Sequence, residues 1–406
     1  MGRAKIKNRT TPTIKRRLRI CRIATVPFFF QNHLREQICA TVAAGHEVTL
    51  VSSSGQEVSL LTGIPGIRFY HVEIPRKISL KHDLLALWEL FKLFHRERYD
   101  IVHSTTPKAG MLTAMAAYLA RIPVRLHTFT GQPWMEMHGI LRYVAKIGDK
   151  VTASLNTQCY ADSFSQREFI IEEQVATSKQ IRVIGAGSLA GVDLHRFNPE
   201  AWATRKDSIL ADLGINPGAK VITFIGRLTK DKGIDELVMA FVSLRNSGLE
   251  CVLLLVGPKE TDWSRLSINV RYIIENNSGI HCVGYSSEPE RYLAVTDIFC
   301  LPSYREGFGN VVIEAAAMGV PSVGTDIVGL RDAVVDGVTG LLVAPKDVDA
   351  LIKGLEKLLD NPQMRLEMSQ RAISRVRHEF DSTIVSAEIL NEYDRLARRY
   401  LEWSLP

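Results

Sequence analysis

Residues 306–314 combine the residue types expected of a site for a phosphorylated ligand. The stretch reads EGFGNVVIE, so that Gly307, Phe308 and Gly309 precede an apolar run that predicts a helix. Glycine lets the backbone approach a ligand closely, and the first N–H groups of a helix lack intrahelical acceptors, so phosphate oxygens can bind them. Asn310 is the predicted N-cap of this helix. The stretch therefore predicts an anion site at a helix start.

Two carboxylates flank this predicted site. Glu314 lies about one turn inside the helix, and helical side chains lean towards the N-terminus, so its carboxylate is expected to reach the loop. A carboxylate is a poor partner for phosphate, but it accepts hydrogen bonds from vicinal hydroxyls such as those of a ribose. Glu306, before the glycines, is expected to face the far side of the ligand. The alternative is an ordinary helix start with a solvated glutamate, which would be favoured for this loop in isolation.

A second basic loop follows the apolar run 221–225. Gly226 and Arg227 stand directly after this predicted strand, and Lys232 stands just before a predicted helix. Arginine offers a planar fork of donors and lysine a compact charge, and ligands bind at the carboxyl ends of parallel strands. Two basic residues in a loop are usually just solvated. Together with the glycine loop and its two carboxylates, they favour a diphosphate site.

The elements around these loops predict an α/β protein with two doubly wound, Rossmann-like domains facing across a cleft. Predicted strands and helices alternate through the first half, and the alternation restarts after about residue 195. A chain of 406 residues also exceeds a usual single core. The expected parts are a basic tail (1–17), a first Rossmann-like domain (18–195), a second Rossmann-like domain with the predicted phosphate site (196–381) and a final helix that packs back on the first domain (382–406).

Several local predictions depend on pattern alone. The helix at 80–99 carries an apolar face that we interpret as core packing, with a membrane-surface helix as the alternative. This face consists of Leu84, Leu87, Trp88, Phe91 and Phe94. The strand-to-helix loop that holds Phe28 to Phe30 is expected to pack in the core, or else to line an acceptor or lipid site. Further expectations are a continuing alternation through 150–155, a capping box at Ser165 and Glu168, and Asp347 as a helix cap rather than a metal ligand.

Charge and cysteine usage exclude some classes of protein. Nine of the 50 Lys and Arg residues lie within residues 1–22, which contain no acid, and the remainder carries 41 bases against 44 acids. A nearly neutral body argues against nucleic-acid binding, whereas the basic tail suits an anionic membrane surface or is merely solubilising. The six scattered cysteines predict buried thiols in a reducing compartment. We expect a cytoplasmic protein, peripheral on the inner face of the cytoplasmic membrane.

The combination of Gly226 and Arg227 with Lys232, followed by Glu306 and Glu314 eight positions apart, resembles retaining glycosyltransferase family 4, which has the GT-B fold. The resemblance implies that Arg227 and Lys232 hold the diphosphate of a nucleotide sugar. It also implies that Glu314 binds the ribose and that Glu306 contacts the transferred sugar. No protein nucleophile and no metal are then expected, because the side chains and the helix dipole stabilise the leaving diphosphate.

Four motifs in the first half resemble a sub-branch of capsule, O-antigen and bacillosamine-extending enzymes. The motifs are HSTTPKAG from His103, HTFTGQPW from His127, DSFSQRE from Asp162 and GSLAGVD from Gly187. The resemblance implies a UDP-sugar donor, the transfer of an N-acetylhexosamine or related hexose, and an acceptor saccharide linked to undecaprenyl diphosphate.

The chain departs from much of the wider family where Thr105 and Thr130 replace histidines. In the first loop, the segment Phe28 to Phe30 replaces the common pair of glycines. His127 remains the nearest candidate to touch donor or acceptor, and a buried structural histidine is the alternative. Two other functions compete with transfer: a nucleotide-sugar epimerase or hydrolase on the same fold, and a membrane-attached scaffold whose nucleotide site is vestigial.

Overall fold

The computed structural model describes residues 16–75 and 79–401, which form two parallel β-sheets covered by helices. This architecture confirms the predicted α/β class with two doubly wound domains. Most of the predicted basic tail and the last five residues of the predicted final helix lie outside the described residues.

The first domain contains a seven-stranded sheet in the order β3-β2-β1-β4-β5-β6-β7, with all neighbouring strands parallel. Its elements are β1 (Arg19–Ile23), α1 (Pro27–Phe29), a π-helical turn (Phe30–Leu34), α2 (Arg35–Ala43), β2 (Glu47–Ser52), α3 (Val58–Thr62), β3 (Ile67–His71), α4 (Leu80–Glu97), β4 (Ile101–Thr105), α5 (Pro107–Leu119), β5 (Val124–Phe129), a 3-10 turn (Pro133–Glu136), α6 (Gly139–Leu155), β6 (Gln158–Ala161), α7 (Phe164–Glu172) and β7 (Ile181–Val183).

The second domain contains a six-stranded parallel sheet in the order β10-β9-β8-β11-β12-β13. Its elements are α8 (Pro199–Trp202), a 3-10 turn (Ala203–Arg205), α9 (Lys206–Asp212), β8 (Lys220–Ile225), a 3-10 turn (Lys230–Lys232), α10 (Ile234–Asn246), β9 (Cys251–Val256), a 3-10 turn (Thr261–Arg265), α11 (Ile268–Asn276), β10 (Ile280–Gly284), α12 (Pro289–Leu293), β11 (Ile298–Leu301), α13 (Asn310–Ala317), β12 (Ser322–Thr325), α14 (Leu330–Ala333), β13 (Gly340–Val343), α15 (Val348–Leu359), α16 (Pro362–Arg375) and a π-helical turn (Val376–Phe380).

The final helix α17 (Ser382–Tyr400) leaves the second domain and packs on the first. Its buried residues Ile389, Tyr393 and Leu396 join a core cluster with Leu18 and Ile20 at the start of the chain. Apolar burial of this kind contributes about 25 cal/mol per Å² of surface removed from water. The helix therefore ties the two ends of the chain together.

Buried strands explain the apolar runs in the sequence. Every residue of β9 is buried, and so is every residue of β4, β6, β11 and β12. Parallel sheets have helices on both faces, so their strands are apolar almost continuously instead of alternating. None of the helices within the described ranges is both long enough and apolar enough to cross a lipid bilayer.

Two predicted elements are wrong in their local conformation. Residues 28–30 are helical, because the helix begins at Pro27, whose fixed φ suits a first helical position. Phe30 is fully buried, whereas Phe28 is 37% exposed and its ring centroid lies 6.2 Å from that of Tyr285 in the second domain. Residues 150–155 do not add a strand but complete α6, and the next strand is β6.

Three helix caps were predicted, and one is confirmed. The Asp347 carboxylate accepts a hydrogen bond from the Ala350 amide at 2.9 Å and caps α15. The capping box at Ser165 is wrong, because Ser163 caps α7 by accepting from the Gln166 amide. The N-cap of α13 is Gly309, with φ of 91°, and Asn310 is the first helical residue.

The apolar face of α4 is only partly in the core, contrary to the core interpretation. Ala86, Leu90, Leu93 and Phe94 are buried, while Leu84 and Trp88 are 66% and 53% exposed. The sequence has more apolar residues than one face of a helix can bury, so the core takes one stripe and the other remains in solvent.

Candidate active site

Arg227 follows β8 at the carboxyl edge of the second sheet. Gly226 lies between this strand and Arg227. Its carbonyl oxygen is so close to Gly257 that a Cβ on Gly257 would lie 1.7 Å from that oxygen. The Arg227 side chain is 42% exposed and lies 3.4 Å from Glu260 and 4.0 Å from Asp231. Its guanidinium is therefore available to a ligand.

Lys232 and Glu306 contact each other directly. The Lys232 ammonium lies 2.5 Å from Glu306 Oε1, and both side chains are mostly buried, at 18% and 14% exposure. The same Glu306 oxygen accepts a hydrogen bond from the Ser303 hydroxyl at 2.7 Å. Lys232, which is expected to bind phosphate, therefore lies beside Glu306, which is expected to contact the transferred sugar.

Asp231 lies at the centre of a cluster of basic side chains. Its carboxylate accepts a hydrogen bond from the Thr229 hydroxyl and lies 3.4 Å from Arg305. Although burial raises the pKa of Asp231, the Thr229 hydrogen bond and the positive charges of Arg305, Lys232 and Arg227 hold it below its usual value. Arg305 thus belongs to the site. Arg305 was not among the residues predicted from the sequence, although its position next to Glu306 was a signal.

Helix α13 points its N-terminus into this site, with Gly309 as the cap. Phe308 does not face a ligand: its side chain is 2% exposed and packs with a ring centroid 5.2 Å from that of Phe380. The Asn310 amide oxygen accepts a hydrogen bond from the Ser188 hydroxyl at 2.9 Å, so this side chain joins the two domains. What remains for an anion is the backbone at the helix start.

Gly307 is where the second domain meets the first. A Cβ at this position would lie 2.6 Å from the Thr130 carbonyl oxygen and 3.2 Å from an oxygen of the Asp162 carboxyl. The Gly307 carbonyl accepts a hydrogen bond from the Ser163 hydroxyl at 2.9 Å. Any larger residue would push the two domains apart, so the glycine serves a close approach of backbones.

The start of α7 is held by the other domain. Both oxygens of the Asp332 carboxylate accept hydrogen bonds, from the backbone amides of Phe164 and Ser165 at 3.1 Å each. The Ser165 hydroxyl accepts a hydrogen bond from the Gly329 amide at 2.8 Å. A carboxylate at a helix N-terminus is stabilised by the amides and by the helix dipole. These bonds fix the first domain against the loop that precedes α14.

Glu314 lies partly buried on α13, close to an ion pair that the sequence analysis did not single out. Arg196 donates two hydrogen bonds to the buried Glu290 carboxylate, each at 2.8 Å. Burial raises the pKa of Glu314 to about 7, Arg196 lowers it and Glu290 raises it. Although burial lowers the pKa of Arg196, the bonds to Glu290 raise it overall. No motif at Arg196 gave a signal for this role.

His127 is not brought to the cleft surface. Its ring is 1% exposed, its Nδ1 lies 2.9 Å from the Ser104 hydroxyl, and a Cβ on Gly110 would lie 2.3 Å from its Cε1. Burial lowers the pKa of His127 to about 3, so the ring is neutral near pH 7. This placement favours the structural alternative, a buried histidine between β5 and α5.

Asp162 is a buried carboxyl at the contact between the domains. It is 7% exposed, and its Oδ1 has no hydrogen-bond partner. Burial raises the pKa of Asp162 to about 8, because no charged neighbour compensates the loss of water. The group next to Gly307 is therefore mainly protonated at neutral pH.

Within the described ranges, no group of three or more His, Cys, Asp or Glu side chains is arranged to hold a metal ion. The arrangement offers instead three basic side chains, a helix start and two carboxylates at the carboxyl ends of one sheet. Such a set can bind the diphosphate and the sugar hydroxyls of a nucleotide sugar.

Comparison with known families agrees with this geometry. The family described as "Glycosyl transferases group 1" matches residues 205–375, and "Glycosyl transferase 4-like domain" matches residues 31–187. The two matches together cover most of both domains. The chain belongs to glycosyltransferase family 4. It is a glycosyltransferase with the GT-B fold, as the sequence predicted.

Individual relatives are similar over most of the glycosyltransferase chain. "Capsular polysaccharide biosynthesis glycosyltransferase CapM" of Staphylococcus aureus is 31% identical over 86% of this chain and 90% of its own. "UDP-Gal:alpha-D-GlcNAc-diphosphoundecaprenol alpha-1,3-galactosyltransferase" of Escherichia coli is 27% identical over 82% of this chain and 83% of its own. Among solved structures, a glycosyltransferase from Rickettsia africae superimposes with a TM-score of 0.77 at 20% identity, over 94% of this chain and 99% of that one.

Proposed function

We propose that the enzyme transfers a sugar, with retention of configuration, from a UDP-sugar to a saccharide linked to a polyprenyl diphosphate. The observation that carries the proposal is the meeting of Arg227, Lys232 and Glu306 at the start of α13, with Glu314 one turn inside that helix. The name of the Escherichia coli relative, which specifies a UDP-sugar and a diphosphoundecaprenol acceptor, supports the choice of donor and acceptor.

Each site residue has a role in this proposal. Arg227, Lys232 and the backbone at the start of α13 bind the diphosphate and stabilise its charge as it leaves. Glu314 accepts hydrogen bonds from the ribose hydroxyls. Glu306 contacts the transferred sugar, and its present contact with Lys232 means that the donor must rearrange or share this pair.

The reaction then needs neither a protein nucleophile nor a metal ion. The acceptor hydroxyl attacks from the face that the diphosphate leaves, and the departing phosphate takes the hydroxyl proton. The acceptor approaches from the first domain, which contacts the loop at Gly307. The group moved is an N-acetylhexosamine or a related hexose. Membership of a glycosyltransferase family favours transfer over the epimerase or hydrolase alternative.

A donor panel tests this function. UDP-sugars are assayed against undecaprenyl-diphosphate-linked monosaccharides, and the product linkage and anomeric configuration are read by NMR. Arg227→Ala and Glu314→Ala are expected to lose most transfer activity, by about a hundredfold. Lys230→Ala is the matched control, because this exposed lysine lies in the same 3-10 turn as Lys232. Folded, fully active Arg227 and Glu314 variants would refute the site, and UDP release without a glycoside product would refute transfer.

We propose that the enzyme works on the inner face of the cytoplasmic membrane, because the proposed acceptor is linked to a lipid. We propose that the basic tail, residues 1–17, contributes by attraction to anionic head groups, which salt screens. Deletion of these residues is expected to weaken sedimentation with anionic vesicles at low salt and to leave transfer to a soluble acceptor analogue unchanged. Unaltered sedimentation would contradict the role of the tail.

A further inference from the structure

The first halves of α4 and α6 expose an unusual amount of apolar surface. We call this surface the α4–α6 face. Its nine large apolar side chains are between 40% and 78% exposed: Leu80, Leu84, Leu85 and Trp88 on α4, and Ile140, Leu141, Tyr143, Val144 and Ile147 on α6. Single exposed apolar residues are normal, but a concentration on two elements indicates an interaction site.

The topology puts this face beside the cleft. A helix that follows a parallel strand starts at the carboxyl edge of the sheet, which is the edge that faces the cleft. Both α4 and α6 start there, after β3 and β5, and their exposed apolar residues lie in their first turns. The two helices lie on either side of α5, which contacts both. The α4–α6 face is therefore next to the side of the first domain where an acceptor approaches.

Basic side chains border the apolar residues. On α6, the exposed Arg142 lies among the apolar positions, 3.5 Å from Glu173, and the exposed Lys150 follows them. The one acid of this helix, Asp149, is buried and hydrogen-bonded to Trp134. On α4, the Lys92 ammonium lies 5.0 Å from the centroid of the Trp88 ring, and Lys81 stands beside Leu80. Of the acids in this stretch, Asp83 is ion-paired with Lys108 and Glu89 is exposed. Apolar side chains with an edge of Lys and Arg characterise helices that lie in the head-group region of a bilayer.

We propose that the α4–α6 face docks the enzyme on an anionic phospholipid bilayer, with its apolar residues inserted at the head-group level. This inference rests on the proposed function, since a lipid-linked acceptor lies in a bilayer and must reach the cleft. A second copy of the chain fits the face less well. A second copy would present the same basic residues to this face, whereas anionic lipid complements them.

Vesicle binding tests the proposal with a matched pair of double variants. Ile140→Glu with Val144→Glu alters α6, where the side chains are 77% and 51% exposed. Ile268→Glu with Tyr272→Glu is the control on α11, with the same spacing and exposures of 78% and 65%. Vesicles of equal parts phosphatidylglycerol and phosphatidylcholine are compared with phosphatidylcholine alone. The α6 variant is expected to partition about tenfold less, and the α11 variant to remain within about twofold of wild type.

Tryptophan emission gives a second measurement. Trp88 is 53% exposed, so insertion is expected to shift its emission to the blue when phosphatidylglycerol vesicles are added, and Trp88→Phe is expected to remove the shift. High salt should weaken this docking less than it weakens the contribution of the tail, because the inserted residues are apolar.

Several results would overturn the proposal: wild-type binding by the α6 variant, an equal loss in the α11 variant, or a wild-type dimer that the α6 variant dissociates while vesicle binding persists. Transfer to a soluble acceptor analogue separates this inference from the proposed function. We expect the α6 variant to retain that activity. An inactive wild type that still binds vesicles through α6 would refute the function and leave the docking face standing.

Discussion

The ion pair of Lys232 and Glu306 joins two predicted ligand-binding residues and also limits how strongly Lys232 can bind a phosphate. Their side chains are 2.5 Å apart and mostly buried, so the lysine is already neutralised before any diphosphate arrives. A ligand phosphate must therefore compete with a carboxylate for the same ammonium. For the proposed UDP-sugar donor, we therefore expect a lower affinity for UDP than the two basic side chains alone would give.

Glu306→Gln tests this competition. We expect UDP to bind about threefold to tenfold more tightly, because the competing negative charge is gone, and transfer to fall by at least about tenfold, because the contact with the sugar is weakened. Calorimetry with UDP and steady-state kinetics measure the two effects. Glu260→Gln, which removes a charge beside Arg227, is the control that leaves the sugar contact intact. Weaker UDP binding in Glu306→Gln would contradict the competition.

Asp162 carries a prediction about pH. Because its folded pKa of about 8 lies above the usual 3.8, its contribution to stability is complete below about pH 4 and is lost as the pH rises through 8. Asp162→Asn removes this dependence, so the variant is expected to be more stable than wild type by about 1–3 kcal/mol at pH 9. Thermal unfolding from pH 5 to 9 measures it, with the exposed Asp207→Asn as control. Parallel pH profiles for wild type and Asp162→Asn would refute this account.

At the scale of elements, helix α7 belongs to one domain and receives its cap from the other. Ser163 caps it from within, and Asp332 accepts hydrogen bonds from its first two amides. The Ser163 hydroxyl also donates a hydrogen bond to the Gly307 carbonyl oxygen. The order of the loop that contains Gly307 is thereby coupled to the position of the first domain.

Asp332→Ala is expected to lower the free energy of unfolding by about 1–2 kcal/mol and to raise the KM for the donor, since the contact that orders the loop is lost. Asp347→Ala is a matched control, because Asp347 caps α15 within a single domain. The control should be destabilised by a similar amount and keep its KM. Thermal unfolding and donor kinetics measure both, and equal KM values in the two variants would argue against the coupling.

On the scale of the whole molecule, α17 reaches from the second domain into a buried polar network of the first. The Tyr393 hydroxyl accepts a hydrogen bond from Arg22 at 2.9 Å and lies 2.8 Å from His103 Nδ1. Arg22 is 2% exposed, and its Nε and Nη2 atoms have no hydrogen-bond partner. Burial, together with the charge of Arg22, holds the pKa of His103 well below its usual value.

Tyr393→Phe removes the hydroxyl that joins this network. We expect a loss of stability of about 1–3 kcal/mol, because a buried guanidinium loses one of its few acceptors. Activity at a temperature where the variant is folded should be unchanged, since the network does not contact the donor residues. Tyr272→Phe, at a position that is 65% exposed, is the control for the substitution itself. A Tyr393→Phe protein as stable as wild type would show that α17 is held by apolar packing alone.

The sequence by itself determined the alternation of strands and helices and the fold class, and it predicted which residues of the second domain bind phosphate. Strand ends, glycines and charged residues are local features that can be read directly from the sequence. They allowed the prediction of four site residues: Gly226, Arg227, Lys232 and Glu306. The same holds for Asp347, whose capping role depends on its immediate neighbours.

Tertiary structure alone decided the contacts between distant segments. The local sequence does not indicate that Arg196 pairs with Glu290 near Glu314. It also does not indicate that Asp332 caps a helix of the other domain. The sequence left His127 open between a ligand contact and a buried structural histidine, and it predicted Leu84 and Trp88 in the core. Residue type and period do not reveal which side of an element another element covers. Burial is a property of the packed molecule, and hence both the neutral His127 and the exposed α4–α6 face became visible only in the fold.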